Sequence, residues 1–532
     1  MAGKKLKKFM AALLAGVMVL SMTACGSGKT SGNEGAAAEE AEEGALVVGI
    51  YSGIDTLNPW ANGRIMHDMV TYMLYETLAS RQGGATDLDY ILMKGYEQID
   101  DTTYNVEIYD YIKDAEGNSI TAADVVFSFE QYMANWATDV ESISAIDDYH
   151  VQLKMNSTAE GTFEYIVCKV PIASEKAYND SPDQFATTSC GTMPYTVAGG
   201  EDYVNGSKII ARKTDSYWQT DESLIYPGSV ANSDVIQLDI IEESTQMALA
   251  IEEGTVSFAQ YLDPQLLDEV KSRENLEVFP LSAAEDRGIL FCMTEESPFY
   301  DNLALRQAVL YAIDNEAVAE ACGYGYATPS KVSCGDAELT IGYDSSWETE
   351  PYAYDPEKAK ELLTEAGYDA GELTIRCLCN DNQTITTMWT IIQANLQEVG
   401  INAELNVCEG TTYGSYRDGT SGQYDLAYPG PGNDGYVTGD LWKTLFNRNN
   451  YSSGRTMGGG LDDELQALYD AIAAPDGYTQ ENLNAFYEYI TDNALYYQIY
   501  SLPFYGAYDK DKIADYYTDY NRFVRPNTIV VK

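Results

Sequence analysis

The chain has 532 residues, 83 acidic and 32 basic, for a net charge of −51, and is 45% hydrophobic and 12% aromatic. That apolar content excludes a disordered acidic tail, and the charge excludes a nucleic-acid partner, whose phosphates need a basic face. Two histidines, His67 and His150, exclude a multi-histidine metal site, while 43 tyrosines suit wet clefts where a ring is buried and its hydroxyl finds a partner.

Residues 1–24 read as an export signal. Lys4, Lys5, Lys7 and Lys8 precede the 12-residue apolar stretch Phe9 to Leu20, which is short for a membrane span. Small residues follow and end in Thr23-Ala24-Cys25. This resembles a bacterial lipoprotein signal, with Cys25 lipidated and first in the mature chain; an ordinary secretory signal is the alternative. Cleavage there removes four lysines and no acid, taking −51 to −55. Residues 25–45 then hold the lipidated cysteine and a Gly, Ser, Ala and Glu run that reads as a flexible acidic tether. Gly28-Lys29-Thr30 imitates the end of a P-loop, but Thr23 stands where its first glycine belongs.

Strands and helices then alternate. Leu46 to Tyr51 reads as a first strand, and Ile65 to Leu78 has helical apolar spacing. Tyr104 to Tyr111 alternates like a strand, and Thr121 with Asp124 opens a helix through Phe129. Asp234 to Ile241, Gly288 to Met293, Leu373 to Cys379 and Ile401 to Val407 read as strands. Ser244 to Glu252, Leu303 to Ala319, Pro356 to Ala366 and Thr386 to Val399 read as helices, the third ended by Gly367 and the last by Gly400. The alternation predicts α/β lobes.

Eight cysteines remain after Cys25. Cys377 and Cys379 alternate on one strand and so share a face, which favours two buried thiols over a bridge. No Cys-x-x-Cys pair exists and the histidines lie far from the cysteines in sequence, so no zinc site and no cofactor are expected.

Five groups of motifs occur in one order: Leu57-Asn58-Pro59 with Tyr75-Glu76-Thr77-Leu78; Asp114 to Gly117 with Thr121 to Phe129; Gly191 to Val197 with Tyr217-Trp218; Leu305 to Asp314; and Tyr354 to Gly367. Together they resemble the extracytoplasmic solute-binding proteins of ABC importers, oligopeptide and dipeptide-binding family (family 5). The motifs themselves read as scaffold: a capped helix, a core-facing helix, a Pro at a helix start. The resemblance implies a type II two-lobed periplasmic-binding-protein-like α/β fold with the extra domain of the peptide-binding branch. It places lobe I at 46–79, 186–287 and 501–532, the extra subdomain at 80–185 and lobe II at 288–500. It implies a monomeric binder, not an enzyme, that captures peptides between the lobes and delivers them to a membrane permease. Lipid anchoring at the extracytoplasmic face goes with that role.

In the family an acidic residue after a Tyr-Asp motif pairs with the peptide ammonium. Asp434 is the positional match, in the stretch Tyr424 to Tyr436 that also carries Tyr428 and Asn433. A Gly/Pro-rich run replaces the family's usual motif there, and a simple Asn-Asp-Gly turn is the other reading of Asp434. Tyr51, Trp60 and Tyr505 are candidate contacts by position, with packing as the alternative. Arg448 and Arg455 are candidate partners for a ligand carboxylate or surface ion pairs. An oligosaccharide is the alternative ligand, since tyrosines stack on sugars; nickel is disfavoured unless chelated. A secreted hydrolase is the competing class, but there is no Gly-x-Ser-x-Gly elbow and no His-Glu-x-x-His.

Overall fold

The computed structural model describes residues 42, 44–61, 67–81, 86–136, 138–215, 217–281, 285–337, 339–417, 424–429, 435–437, 445–447, 463–518 and 524–532. The expectations for Cys25, Asn433, Asp434, Arg448 and Arg455 lie outside these residues.

Leu46–Ile50 is a strand buried at every position, which is why it reads as an unbroken apolar run. It pairs in parallel with Val235–Ile240 on one side and Phe258–Leu262 on the other. Antiparallel strands extend this first sheet outward: Lys208–Lys213 beyond the first neighbour, Tyr505–Asp509 and Leu276–Pro280 beyond the second. A second large sheet is centred on Thr374–Asn380, flanked in parallel by Asn402–Cys408 and Leu426–Ala427. Glu285–Phe291 and Tyr496–Leu502 complete its antiparallel side, with Thr328–Pro329 at the edge. Each sheet carries its own hydrophobic core. A third core belongs to a four-stranded antiparallel sheet of Met93–Asp100, Thr103–Ile108, His150–Met155 and Val140–Ala145.

The scaffold reading of the motifs takes physical form at Glu76. Its carboxylate is 1% exposed and accepts from Tyr217 Oη at 2.5 Å, Trp218 Nε1 at 2.7 Å and Ser229 Oγ at 2.7 Å. One buried charge thus ties two motifs that lie far apart in the chain. Gly191 is required beside it, because a Cβ there would stand 2.0 Å from the Leu74 carbonyl oxygen. Arg306 is also buried and donates to the carbonyls of Phe299 at 2.7 Å and Asn493 at 2.9 Å.

Several element boundaries differ from the sequence reading. The helix expected over Ile65 to Leu78 is helical over His67–Leu74 and then turns extended, where Glu76 pairs with Ile172. The single helix expected over Leu303 to Ala319 is two, Leu303–Ala312 and Asn315–Gly323. Asp314 breaks it, its carboxylate capping the second helix through the Ala317 N–H at 3.0 Å. None of the eight described cysteines is in a disulfide and all are buried, and Cys377 and Cys379 share a core that excludes Leu378 between them.

Candidate ligand cleft

In open sheets of this kind a ligand sits outside the carboxyl ends of the parallel strands. In the first sheet those ends are Tyr51, Ile241 and Asp263; in the second they are Asp381, Glu409 and Tyr428. The chain passes between the two sheets after Leu276–Pro280 and returns after Tyr496–Leu502. The two crossings run side by side: Leu281 N–H donates to the Phe504 carbonyl at 2.7 Å, with Pro280 opposite Tyr505 and Glu285 opposite Leu502. Two short adjacent segments joining two separate cores have the form of a hinge.

Three rings meet beside this crossing. Tyr51 and Tyr261 stand 4.7 Å apart between centroids, and Phe504 lies 5.5 Å from Tyr261 and 6.4 Å from Tyr51. Tyr261 donates to Asp263 at 2.8 Å, and burial and that carboxylate hold its hydroxyl protonated well above the usual phenol range. Arg287, half-buried on the crossing strand, exerts its charge on Tyr261 from one sheet and on Cys322 and Tyr500 from the other. A register shift between Arg287 and Gly288 re-aims the side chain here. Tyr505 packs 5.1 Å from Tyr326, whose hydroxyl donates to Asp268 at 2.7 Å, linking the two halves again. Burial and Asp268 push that hydroxyl up to about 12.

Close by is an interlobe cavity of about 150 Å³, lined by Asp263 and Gln265 from the first half and by Cys322, Gln383 and Thr384 from the second. Pockets that enclose a whole drug-sized ligand run to about 300 Å³ or more, so this space has the size of a single side chain.

The structure gathers some of the sequence candidates and separates others. Tyr51 and Tyr505 lie at the crossing. Trp60 is 1% exposed, donates from Nε1 to the Pro171 carbonyl at 2.9 Å and packs edge-on to Phe127 and Tyr178. Tyr428 is 4% exposed, and its carbonyl accepts from the Tyr413 hydroxyl. Tyr436 is 6% exposed and packs against Arg81 and Tyr478. The acid of the Tyr-Asp motif, Asp425, is held by Arg376 in a two-pronged pair at 2.8 and 3.0 Å. Sequence reasoning missed Tyr261 and Arg287. A signal existed for Arg287, a rare cation directly before the predicted strand Gly288 to Met293.

His67 and His150 do structural work. His67 Nε2 lies 3.0 Å from the Asn58 carbonyl and Nδ1 lies 3.3 Å from Thr71 Oγ1; burial lowers its pKa and favours the neutral ring. His150 pairs with Asp147 at 2.8 Å. Among the described residues no group of three or more His, Cys, Asp and Glu is arranged to hold a metal, and no helix is long and apolar enough to cross a membrane.

Two lobes, a paired crossing and aromatic side chains at the strand ends define a binding protein that closes around a solute. The chain belongs to the bacterial extracellular solute-binding proteins, family 5, matching the family's middle region over residues 88–453. It is the solute-binding component of an ABC transporter. The glutathione-binding protein GsiB of Escherichia coli (strain K12) is 25% identical over 375 residues, covering 68% of this chain and 69% of that protein. The substrate-binding protein CtaP of Listeria monocytogenes shares the fold at a TM-score of 0.74 and 20% identity, over 92% of this chain and 99% of that one. The dipeptide-binding protein of Pseudoalteromonas sp. SM9913, solved with Met-Leu, gives 0.74 at 18% identity, over 92% and 100%.

Proposed function

We propose that this protein captures short peptides between its lobes and presents them to its permease. The carrying observation is the Tyr51, Tyr261 and Phe504 cluster at the carboxyl ends of the first sheet, with Arg287 beside it. Rings bury a side chain of almost any kind, and the positive charge of Arg287 suits a peptide carboxylate. The names of GsiB and of the Pseudoalteromonas protein support a peptide ligand. Binding energy is converted into a closed population, and no chemical step is required.

The rest of the reading goes with this role. The protein is a monomer without catalytic function, anchored through lipidated Cys25 on the outer face of the cell membrane. Lobe I comprises 46–79, 186–287 and 501–532, the extra subdomain 80–185, and lobe II 288–500. Three separate sheets support a division into three parts, while Ala173, Ala177, Tyr178 and Phe185 pack in the first sheet's core and Trp218 and Tyr226 in the third. Asp434 remains the proposed partner of the peptide ammonium, with Asn433, Tyr428 and Tyr436 nearby in sequence and Trp60, Tyr51 and Tyr505 as the first lobe's candidate contacts.

The test is to purify the mature protein, denature it and identify the released solute by mass spectrometry. Peptides are expected; a discrete sugar or a metal chelate would replace the peptide reading. Asp434→Asn is expected to weaken free-amine peptides at least tenfold and leave N-acetylated ones unchanged, measured by calorimetric titration.

A further inference from the structure

Tyr436 leaves its own lobe. Its backbone is fastened to the second half of the molecule: Gly435 N–H donates to Leu339 O at 2.8 Å, Ile341 N–H to Gly435 O at 3.0 Å, and Val437 N–H to Tyr478 Oη at 3.0 Å. Tyr478 in turn donates to Ile341 O at 2.8 Å, and Val437 belongs to the second lobe's core. The ring is thus carried on a rigid base, with Tyr478 edge-on at 4.9 Å.

The surface it meets belongs to the third core. Arg81 follows the strand Ala79–Ser80, is 2% exposed and places Cζ 5.8 Å from the Tyr436 ring centroid. Gly161 precedes the helix Thr162–Lys169, and a Cβ on it would stand 2.1 Å from Tyr436 Cδ2. From the other side, a Cβ on Gly435 would stand 2.3 Å from an Arg81 amino nitrogen. Both glycines also have positive φ, +85° and +90°. Each half therefore lacks a side chain at the point where the other half's large side chain enters. On the same face Thr158 Oγ1 donates to the Ala473 carbonyl at 3.1 Å. These contacts use elements distinct from the crossing at Leu281 and Phe504, so opening the lobes about that crossing must separate them.

We propose that Tyr436 and the socket of Arg81 and Gly161 form a latch that sets the closed population, and through it the affinity for the solute. The inference rests on the two-lobed capture reading. Opening exposes a buried guanidinium and a buried ring and removes the cation–π contact between them. Apparent affinity scales with the fraction of molecules in the closed, binding-competent form, so loosening the latch raises the apparent Kd by the same factor as it lowers that fraction.

The experiment compares wild type with Tyr436→Ala, Gly161→Ala and Arg81→Met, each first shown to be folded by circular dichroism. Protein is stripped of solute by denaturation and refolding, then reloaded with the small-molecule extract released from wild type. Small-angle X-ray scattering gives the radius of gyration of both forms; tryptophan fluorescence gives half-saturation and the dissociation rate. All three variants are expected to show a larger radius at equal extract concentration and a roughly tenfold higher half-saturation, mostly through faster dissociation. Gly161→Ala discriminates, because it adds one methyl on the face opposite Tyr436 and removes no contact of Tyr436 with any solute. If Tyr436→Ala alone weakens binding and reaches the wild-type radius at saturation, Tyr436 is a solute contact and the latch is refuted. Unchanged radius and half-saturation in all three refute it as well. If wild type takes up nothing from the extract, the capture reading falls; the latch is then judged by the stripped proteins, where a variant radius equal to wild type refutes it.

Discussion

At Glu76 a buried carboxylate accepts from three neutral donors, Tyr217, Trp218 and Ser229, with no cation among them. Burial is the largest influence on it and raises its pKa, while the hydrogen bonds from Tyr217, Ser229 and Trp218 lower it. A folded-state pKa above the unfolded value means that the folded protein holds the proton more tightly. This group therefore contributes stability that is complete below the unfolded value and is lost as pH rises through the folded one. Glu76→Gln is expected to flatten the pH dependence of urea unfolding just above the ordinary carboxylate range. Glu76→Ala leaves three buried donors without an acceptor and is expected to lower stability by about 3–5 kcal/mol in the same assay. The thiols follow the same physics: burial pushes Cys190 up to about 12 and Cys322 to about 11. Native protein at pH 8 is expected to resist iodoacetamide, and protein denatured without reductant to expose eight alkylatable thiols besides Cys25, counted by mass spectrometry. A smaller count would reveal disulfides.

Among the elements, the helix Ala122–Asn135 shows what a start signal is worth. Asp124 accepts from both the backbone N–H and the hydroxyl of Thr121, at 2.8 and 2.9 Å. Its other oxygen accepts from Glu175 N–H at 3.0 Å, at the start of the helix Glu175–Asp180. One carboxylate therefore closes two helix starts. Thr121→Ala is expected to cost about 1 kcal/mol and Asp124→Ala about 2 kcal/mol, read by thermal unfolding. Equal losses would show that the bond to Glu175 carries nothing. The capping pattern was legible because its partners lie three residues apart; the Glu175 contact was not, since it comes from 51 residues away. The split helix at Asp314 was missed for a related reason. Apolar spacing continues across Ile313-Asp314, and only the Asp314 cap, an equally local but weaker sign, marks the break.

For the molecule as a whole, two lobes on a paired crossing predict that solute closes and stabilises the fold. A solute at a hundred times its Kd is expected to add about 2.7 kcal/mol to unfolding, seen as a rise in melting temperature. The net charge of −51 acts at this scale too. It favours encounter with cationic or neutral solutes, an effect expected to fade as salt shortens the Debye length below about 8 Å. If association rates measured by stopped flow do not change with salt, the field plays no part in capture. Arg287 is the local counterpoint, one guanidinium set between the lobes where the overall field is negative.

Local pattern alone determined a good deal. The α/β alternation, most helix starts and the family motifs are written in residues a few positions apart, because capping, periodicity and turns act over a few residues. Tertiary structure decided what those motifs touch. Tyr217 and Trp218 reach Glu76 across 141 and 142 residues, and Arg81 faces Tyr436 from another lobe. The rings at the crossing come from the residue just past the first strand, the third parallel strand and the returning chain. No short-range rule couples such positions. They meet because two sheets bury separate cores and the chain passes between them twice, and that topology places the cleft, the hinge and the latch.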